Sequence, residues 1–261
     1  MTSILAAFAS VIGAGAAVTG YALSEAQAFT LRRVSLPVLT AGELRILHIS
    51  DLHLTPTQSR KIRWVDSLAH TRPDLVVVTG DFLAHPLAVP AVAEALDRLL
   101  DCPGVFVFGS NDYFAPERKN PLDYLRRNRT IAPQGAALPT EDLRQLLTDA
   151  GWLDANNAEG TMTVNPGLLH ISGAGDAHLG LDRYQRARFL PGSLAIGITH
   201  APYRRVIDEM AADHADLVFA GHTHGGQVCL PFFGALVTNC DLPRDRAKGL
   251  STIGAGPAML H

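Results

Sequence analysis

The stretch Leu44-Arg-Ile-Leu-His-Ile-Ser-Asp-Leu-His53 begins with an apolar run and ends on Asp51 and His53. The near-continuous apolar character of Leu44–Ile49 predicts a strand that is buried on both faces, as the strands of parallel sheets are. Polar side chains that directly follow such a strand lie at its carboxyl end, where open α/β sheets bind their ligands. The stretch therefore predicts an α/β fold with a functional site at the carboxyl edge of a sheet.

Four further clusters share this placement after a strand-like run, and each offers oxygen or imidazole groups. They are Gly80-Asp81, Gly109-Ser-Asn-Asp112, Thr199-His200 and Gly221-His-Thr-His-Gly225. Carboxylates and neutral imidazoles are available as ligands at neutral pH, and mixed sets of nitrogen and oxygen donors suit Mn, Fe or Zn better than Ca. Together the five clusters predict one pocket that holds two divalent metal ions.

Strand and helix patterns alternate in the first half of the chain. Apolar runs at Leu44–Ile49, Leu75–Thr79 and Val105–Phe108 predict strands, and the segments Ser59–Thr71 and Pro90–Leu100 predict helices between them. This order predicts crossover connections and a parallel sheet. Further apolar runs downstream predict more strands, so the expected architecture is a layered α/β sandwich of mixed sheets flanked by helices.

Composition limits the class of protein. The chain has 261 residues, of which 47% are hydrophobic and 18% charged, and its formal net charge is −3. These values are typical of a globular protein with a sizeable core, and they do not indicate a nucleic-acid partner. The three cysteines, Cys102, Cys229 and Cys240, are odd in number and widely spaced, which argues against a disulfide framework or a cysteine-based zinc site.

The amino-terminal segment differs from the rest of the chain. Ile4–Leu23 contains no charged residue and, at about 20 residues, is long enough to cross a bilayer. Because the first basic residues, Arg32 and Arg33, follow this segment, the positive-inside rule places the following domain on the cytoplasmic side. Residues 1–28 are therefore predicted to anchor the chain in a membrane, ahead of a catalytic domain at residues 29–261.

Two alternatives stay open for this segment. The small residues of Ala26-Gln27-Ala28 are typical of a cleavage site, which would make the segment a secretory signal and the domain an exported one. A buried amino-terminal helix is the other alternative.

Beyond the segment, the alternating pattern of Phe29–Leu39 predicts an edge strand.

In combination, the five clusters resemble the motifs of the calcineurin-like metallophosphoesterase superfamily, from about residue 44 to residue 229. The resemblance implies a four-layer α/β/β/α sandwich that hydrolyses phosphoric esters at a dinuclear metal site. The forms Asp51-Leu-His-Leu54 and Gly221-His-Thr-His-Gly-Gly-Gln227, with the amino-terminal anchor, are similar to the membrane-associated branch. That branch includes proteins similar to UDP-2,3-diacylglucosamine hydrolases and related cell-envelope phosphoesterases.

The resemblance also implies metal ligands in each cluster. One ion would be held by Asp51, His53 and His224, and the other by His200, His222 and an amide of the Gly109 cluster. Asp81 would bridge the two ions, which lie about 3.5–4 Å apart in sites of this kind. Such a pair activates a water molecule for attack on phosphorus and neutralises the charge that develops on the phosphoryl oxygens.

The Gly109 cluster departs from the superfamily pattern. Members usually have Gly-Asn-His followed by Asp or Glu, where Asn is a metal ligand and His lies near the leaving group; this chain has Gly109-Ser-Asn-Asp112. A strict register places Ser110 at the ligand position and Asn111 at the position of the His. In the alternative register Asn111 supplies its amide oxygen to the metal, and we favour it because an amide is the better neutral oxygen ligand. Asn111 and Asp81 are accordingly assigned as catalytic residues.

In either register, the His that would protonate a leaving group is missing. General acid catalysis contributes about 10²–10⁴-fold, and it matters most when the leaving group is basic. The sequence thus favours a phosphodiester or pyrophosphate substrate, in a lipid-linked or nucleotide-linked metabolite of the cell envelope, over an alkyl monoester. The rival hypothesis is a metal-binding scaffold that keeps the fold without catalysis.

Three further expectations concern residues outside the clusters. Similar proteins continue past the last strand with a Gly-rich turn and another strand, whereas this chain ends at Gly254–His261, so either its carboxyl terminus is unusual or the sequence is truncated and lacks a core strand. The basic stretch Arg118–Arg129 is either a solvated face or a contact for anionic lipid or substrate phosphate. Asp176 either orients a ligand His or forms a plain turn, and the histidines outside the clusters, His178 among them, are assigned structural or surface roles.

Overall fold

The computed structural model describes residues 13, 15, 19–22, 24–25, 27–116, 135–226, 229–230, 234–235, 238–253 and 256–261. The chain divides into two compact units, Met1–Ser35 and Leu36–His261. Within the described part of the chain, no helix is both long enough and apolar enough to cross a membrane. Most of the predicted anchor, Ile4–Leu23, lies outside the described residues and stays a prediction, and the basic stretch Arg118–Arg129 lies outside them entirely.

The segment Phe29–Leu39 is not a strand, so the expectation of an edge strand there was wrong. It forms no ladder with any other part of the chain that the structure describes, and Leu31 and Val34 are exposed by 39% and 48%. Pro37 lacks the N–H that a ladder needs. An alternating pattern produces a strand only where a partner strand accepts its hydrogen bonds.

The first sheet is entirely parallel. Its strands are β1 (Ile46–Ile49), β2 (Leu75–Val78), β3 (Gly104–Phe106) and β4 (Leu153–Asp154). They pair in chain order, β1-β2-β3-β4. Parallel neighbours need crossover connections, which the intervening helices supply. The parallel sheet that the sequence predicts for the first half of the chain is therefore confirmed.

The second sheet is mixed and larger. The remaining strands are β5 (Glu159–Val164), β6 (Gly167–Ala174), β7 (Leu194–Thr199), β8 (Leu217–Phe219), β9 (Cys229–Leu230), β10 (Gly234–Ala235), β11 (Leu250–Thr252) and β12 (Ala258–Leu260). Six of them form a sheet in the order β11-β12-β8-β7-β6-β5, while β9 and β10 form a separate antiparallel pair. In the six-stranded sheet the inner pairs are parallel, and the outermost pair on each side is antiparallel.

Helices cover the outer faces of both sheets. They are α1 (Ser59–Ser67), α2 (Val89–Leu96), α3 (Ser110–Tyr113), α4 (Thr140–Asp149) and α5 (Arg204–Ala212), with 3₁₀ turns at Leu68–Thr71 and Arg244–Arg246. The helix α1 is amphipathic and buries Ile62 and Val65, and α2 begins with Pro90 in its first turn, where proline is tolerated.

Alternate residues of the strands build the layers. In β2, Val76 and Val78 belong to the apolar cluster formed with α1, α2 and α4, whereas Leu75 and Val77 belong to the cluster shared with the second sheet. On the far side of the second sheet, α5 packs through its own apolar face. The order of layers is helix, sheet, sheet, helix, as the resemblance implies.

The carboxyl-terminal segment contributes strands to the second sheet. β12 pairs in parallel with β8, with Met259 opposite Val218, and β11 pairs with β12 on its other side. Met259 is fully buried. The carboxyl-terminal residues Ala258–Leu260 therefore form the strand beside β8.

Candidate metal centre

The predicted ligands follow the carboxyl ends of strands from both sheets. Asp51 and His53 follow β1, Asp81 follows β2, Asn111 follows β3, His200 follows β7, and His222 and His224 follow β8. Backbone hydrogen bonds join these loops: the Asp51 N–H donates to the Gly80 carbonyl at 3.0 Å, and the Gly221 N–H donates to the His200 carbonyl at 2.8 Å. The structure thus brings residues that are far apart in the chain to one place.

Five of the predicted ligands have a left-handed backbone. The φ angle is 54° at Asp51, 43° at His53, 55° at Asp81, 70° at His222 and 50° at His224. For residues other than glycine this conformation costs about 1–3 kcal/mol, and it persists where the surrounding structure imposes it, commonly at functional sites. The backbone strain is concentrated on residues that the sequence assigns to the metal.

Two glycines allow the ligand loops to approach each other. A Cβ atom on Gly109 would overlap Asp81 Oδ1 and lie 2.6 Å from His200 Nε2, and a Cβ atom on Gly221 would lie 2.7 Å from Asp51 Oδ2. A larger residue at either position would displace a carboxylate. The glycine that begins each of these two clusters is therefore required by packing against the site.

Asp81 lies at the middle of the site. Its Oδ2 atom is 3.5 Å from His53 Nε2 and 3.5 Å from His200 Nε2. The same oxygen accepts a hydrogen bond from the Asn111 amide at 2.8 Å, and Oδ1 accepts one from the Asn111 backbone N–H at 2.7 Å. A carboxylate that faces imidazoles on two sides has the position that a bridging ligand requires.

A first group of ligand atoms converges on one side of Asp81. His224 Nε2 lies 3.1 Å from His53 Nε2 and 3.4 Å from Asp51 Oδ1, and the two rings stack at 5.0 Å with 16° between their planes. Two imidazole nitrogens and a carboxylate oxygen that meet in this way are typical of the ligands of a single cation.

A second group contains Asp51, Asp81 and His200, whose ligand atoms lie within 4.8 Å of one another. His200 is fully buried, and its Nδ1 lies 2.6 Å from the Thr79 carbonyl oxygen, to which it donates. The Nε2 atom faces Asp81 and is buried, with no hydrogen-bond partner among the described residues. Histidines that bind metals usually donate their other ring N–H to a carbonyl in this manner, so His200 fits a metal ligand.

His222 stands apart from both groups. Its backbone N–H donates to both oxygens of Asp51, and its ring packs against His200 with centroids 5.2 Å apart. Its Nε2 lies 3.3 Å from the Asn239 carbonyl oxygen. The structure therefore brings His222 to the edge of the second group, while its ligand nitrogens do not converge with Asp51, Asp81 and His200.

The ionisation of these residues is set by burial and by the charges of the neighbouring carboxylates and imidazoles. Burial lowers the pKa of His200, but the carboxylates of Asp81 and Asp51 outweigh it and raise that pKa to about 9. Burial opposes ionisation of Asp81, yet His200 and His53 bring the pKa of Asp81 down to about 2. Burial, together with His200, lowers the pKa of His222 to about 3 and so favours a neutral ligand there.

Asp112 is a buried residue whose role the sequence did not resolve. Its carboxylate accepts four backbone hydrogen bonds: from Gly109 at 2.9 Å, Asp81 at 2.8 Å, Phe82 at 2.7 Å and Leu83 at 3.2 Å. Burial and the neighbouring Asp81 charge raise the pKa of Asp112 to about 8, and the N–H donors of Gly109 and Leu83 oppose that shift. Asp112 thus joins the loop after β2 to the loop after β3.

His178 is the second residue that the sequence did not assign to the site. Its ring lies against that of His222, with centroids 4.7 Å apart, although a structural or surface role was expected for it. Asp176 is buried and accepts the His178 backbone N–H at 2.9 Å, as in a turn. Since His200 Nδ1 already donates to Thr79, the turn is the better description of Asp176.

Replacement of Asp112 by Asn is predicted to disorganise the site. The Asn side chain has one oxygen in place of two, so at least one pair of buried N–H groups loses its acceptor. Each unsatisfied donor costs about 1–3 kcal/mol of folding free energy. We expect D112N to lower the free energy of unfolding by about 2–5 kcal/mol and to weaken Mn²⁺ binding. Urea denaturation and Mn²⁺ titration measure the two effects.

The matched control is D149N, because Asp149 is exposed in α4. This variant should unfold at the same urea concentration as the native chain and bind Mn²⁺ equally. If D112N behaved like D149N in both measurements, Asp112 would not hold the loops together.

The calcineurin-like phosphoesterase family has a sequence pattern that matches residues 44–226. The chain is 28% identical over 193 residues to the uncharacterized metallophosphoesterase YkoQ of Bacillus subtilis, covering 72% of this chain and 64% of that protein. It is 24% identical over 204 residues to the phosphodiesterase YaeI of Escherichia coli, covering 74% of this chain and 65% of that protein. A bovine transmembrane protein with metallophosphoesterase domain is 28% identical over 220 residues, covering 79% of this chain and 47% of that protein.

The chain thus spans less than two thirds of the length of these three relatives. The phosphopantetheinyl hydrolase of Mycobacterium tuberculosis superposes with 14% identity over 74% of this chain and 87% of that one. The TM-score is 0.44, which is too low to support a functional inference. The resemblance to UDP-2,3-diacylglucosamine hydrolases stays a prediction. Because the family match covers more than half of the sequence and contains all seven predicted ligands, the chain belongs to the calcineurin-like phosphoesterase family.

Proposed function

We propose that this chain is a metal-dependent hydrolase of phosphoric esters with two divalent cations. The observation that carries the proposal is the pair of convergent ligand groups that share Asp51: one with His53 and His224, the other with Asp81 and His200. Two such groups in contact suit a pair of neighbouring cations rather than a single one. The buried Nε2 of His200, which has no hydrogen-bond partner in the described part of the chain, supports the same interpretation.

In this proposal the residues divide between the two cations. Asp51, His53 and His224 hold the first, and His200, His222 and Asn111 hold the second. Asp81 is shared by both, because its Oδ2 lies 3.5 Å from both His53 Nε2 and His200 Nε2, while Asp51 lies beside both groups. The set of nitrogen and oxygen donors suits Mn, Fe or Zn. Bound cations of this kind stabilise charge on phosphoryl oxygens and lower the pKa of a coordinated water.

The residues of the chain have separate roles in the reaction. The backbone N–H and the side-chain N–H of Asn111 donate to Asp81, which places the Asn111 side chain beside the shared carboxylate and supports Asn111 rather than Ser110 as the ligand from the Gly109 cluster. Asp112 fixes the backbone of Asp81 and of Gly109, so the shared carboxylate of Asp81 and the amide of Asn111 keep a fixed position relative to each other. Two-metal hydrolysis requires the protein to hold its ligands in place in this way before the substrate binds.

The substrate class follows from what the Gly109 cluster lacks. In hydrolysis the water oxygen bonds to phosphorus, the bond to the leaving oxygen breaks, and that oxygen keeps the electron pair and takes up a proton. The Gly109 cluster contains no His in either register, so the leaving group must accept the electron pair without an imidazolium acid from this cluster. We therefore propose a phosphodiester or pyrophosphate of a lipid-linked or nucleotide-linked metabolite, and the phosphodiesterase name of YaeI supports the ester class.

The test is a substrate panel assayed with Mn²⁺. We expect hydrolysis of an aryl phosphodiester and of a nucleotide diphosphate conjugate at rates above that of an alkyl monoester. The D81N variant should lose about 10³-fold or more in kcat/KM, because the shared carboxylate is removed. The D149N variant, far from any predicted ligand in sequence, serves as the control and should keep the native rate.

Two outcomes would contradict the proposal. Equal and negligible rates for the native chain and D81N would favour the scaffold hypothesis. Faster cleavage of the alkyl monoester would reject the substrate class while leaving the hydrolase assignment in place.

We further propose that residues 1–28 anchor the chain in a membrane with the catalytic domain on the cytoplasmic side. The uncharged stretch Ile4–Leu23, followed by Arg32 and Arg33, supports this, as does the name of the bovine transmembrane relative. A fusion of residues 1–35 to a soluble reporter should sediment with membranes and resist extraction by carbonate. Recovery of the intact fusion in the soluble fraction would reject the anchor, and cleavage with export would favour the signal peptide.

A further inference from the structure

The turn Asp51-Leu52-His53 carries two of the ligands proposed for the first cation. Both ligands have a left-handed backbone, with φ angles of 54° at Asp51 and 43° at His53. The planar peptide group between Leu52 and His53 connects them, and its orientation sets ψ of Leu52 and φ of His53. Rotation of this one peptide group would therefore move the His53 side chain relative to Asp51.

Hydrogen bonds hold both ends of this peptide group. The His53 N–H donates to the Asp81 carbonyl at 2.8 Å, which ties the group to the loop after β2. The Leu52 carbonyl accepts a hydrogen bond from Lys61 Nζ at 2.8 Å, which ties the group to α1. With both bonds in place, the peptide plane cannot rotate without the loss of at least one of them.

Within the part of the chain that the structure describes, Lys61 is the one side chain that hydrogen-bonds to the backbone of this turn. The neighbouring bonds run from backbone to backbone: the Asp51 N–H donates to the Gly80 carbonyl at 3.0 Å, and the Leu54 N–H donates to the Phe82 carbonyl at 2.8 Å. Because the C=O and N–H of a trans peptide point in opposite directions, Lys61 holds the turn from the side opposite to the loop after β2.

Neither an ion pair nor the helix itself accounts for the position of Lys61. The residue is half-buried, no carboxylate among the described residues pairs with it, and burial lowers the pKa of its ammonium. The first turn of α1 contains no acidic residue, and a cation there is unfavourable because a helix N-terminus favours anions. A half-buried cation without a counter-ion is costly unless it makes a charge-assisted hydrogen bond, and the Leu52 carbonyl is the acceptor of that bond.

We propose that Lys61 is a positioning residue for the first cation, because its ammonium fixes the Leu52–His53 peptide group so that His53 and Asp51 converge. The inference rests on the proposed function and adds to it a residue from outside the five clusters. His53 Nε2 lies 3.9 Å from Asp51 Oδ1 and 3.5 Å from Asp81 Oδ2, so a rotation of the peptide group would change both distances. The Leu52 side chain is buried in the apolar cluster beside α1, but this packing does not fix the direction of its carbonyl.

Metal binding tests this inference without reference to activity. Full-length protein is freed of metal and titrated with Co²⁺, and the bound metal per chain and the visible absorption of the cation are measured. We expect the native chain to bind two Co²⁺ ions. Lys61→Met keeps the length and helix propensity of the side chain but removes the donor, so it should weaken one ion about 10–100-fold and change the absorption of that site. Lys61→Arg keeps a charged donor and should restore binding close to that of the native chain.

A ligand variant assigns the effect to the first cation. H224A removes an imidazole of the first group and should leave one tightly bound ion. The double variant K61M/H224A should bind that ion as H224A does, because Lys61 acts through the group that H224A has already disrupted. The matched control is R63M, which removes an exposed cation from the same helix and should bind two ions as the native chain does.

A contact that only supports the fold would give a different result. Loss of such a contact would lower the free energy of unfolding of the metal-free chain and leave both ion affinities at their native values. Urea denaturation without metal shows that each variant is folded before the titration. Lys61→Gln, whose amide is one atom too short to reach the Leu52 carbonyl, should match K61M and replaces it if K61M does not fold.

The outcomes separate the two proposals. If the native chain binds two ions and both K61M and K61Q bind them with native affinity and absorption, Lys61 positions no ligand, while the hydrolase proposal stands. Weaker binding of the remaining ion by K61M/H224A than by H224A would also overturn the inference, because Lys61 would then act on the site as a whole. If the native chain itself binds fewer than two ions, the two-cation proposal fails first, and the inference that rests on it fails too. Selective weakening of one ion in K61M and K61Q, restored in K61R and absent in R63M, is the expected result.

Discussion

The four hydrogen bonds to the Asp112 carboxylate are the interaction on which the rest of the site depends. They join the turn at Asp81–Leu83 to the turn at Gly109, which lie after neighbouring strands of the parallel sheet. Each of these N–H groups would be buried without a partner if the carboxylate were absent, at about 1–3 kcal/mol apiece. The positions of Asp81 and Asn111 are therefore fixed by a residue that is predicted to bind no metal.

The electrostatics of the site explain why a cation belongs there. Asp51, Asp81 and Asp112 place three carboxyl groups in a small volume, and the latter two are buried. The Asp81 charge raises the pKa of His200, and burial together with the Asp81 charge raises the pKa of Asp112, so His200 is drawn toward its charged form and Asp112 toward its neutral form. Divalent cations beside Asp81 would relieve both shifts. Their binding would also offset the left-handed backbone strain at the ligands, so metal affinity and folding stability are coupled.

The sequence predicted the parts of the structure that depend on local pattern. Asp51, His53, Asp81, His200 and His224 could be assigned to one place because each follows an apolar run, and the carboxyl ends of such strands meet in α/β folds. It did not predict the bonds of Asp112 or the position of His178, because both depend on which loops become neighbours across the two sheets. The same limit applies to β12, whose pairing with β8 joins segments with a long intervening connection, and to Phe29–Leu39, where alternation occurs without a partner strand.

The central claim is that seven residues from five loops hold two cations around one shared carboxylate. An anomalous difference map from crystals grown with Mn²⁺ tests it most directly, since it locates the cations without reference to any substrate. We predict two peaks about 3.5–4 Å apart on either side of Asp81, one beside Asp51, His53 and His224, the other beside His200 and His222. A single peak, or two peaks that do not share Asp81, would contradict the account.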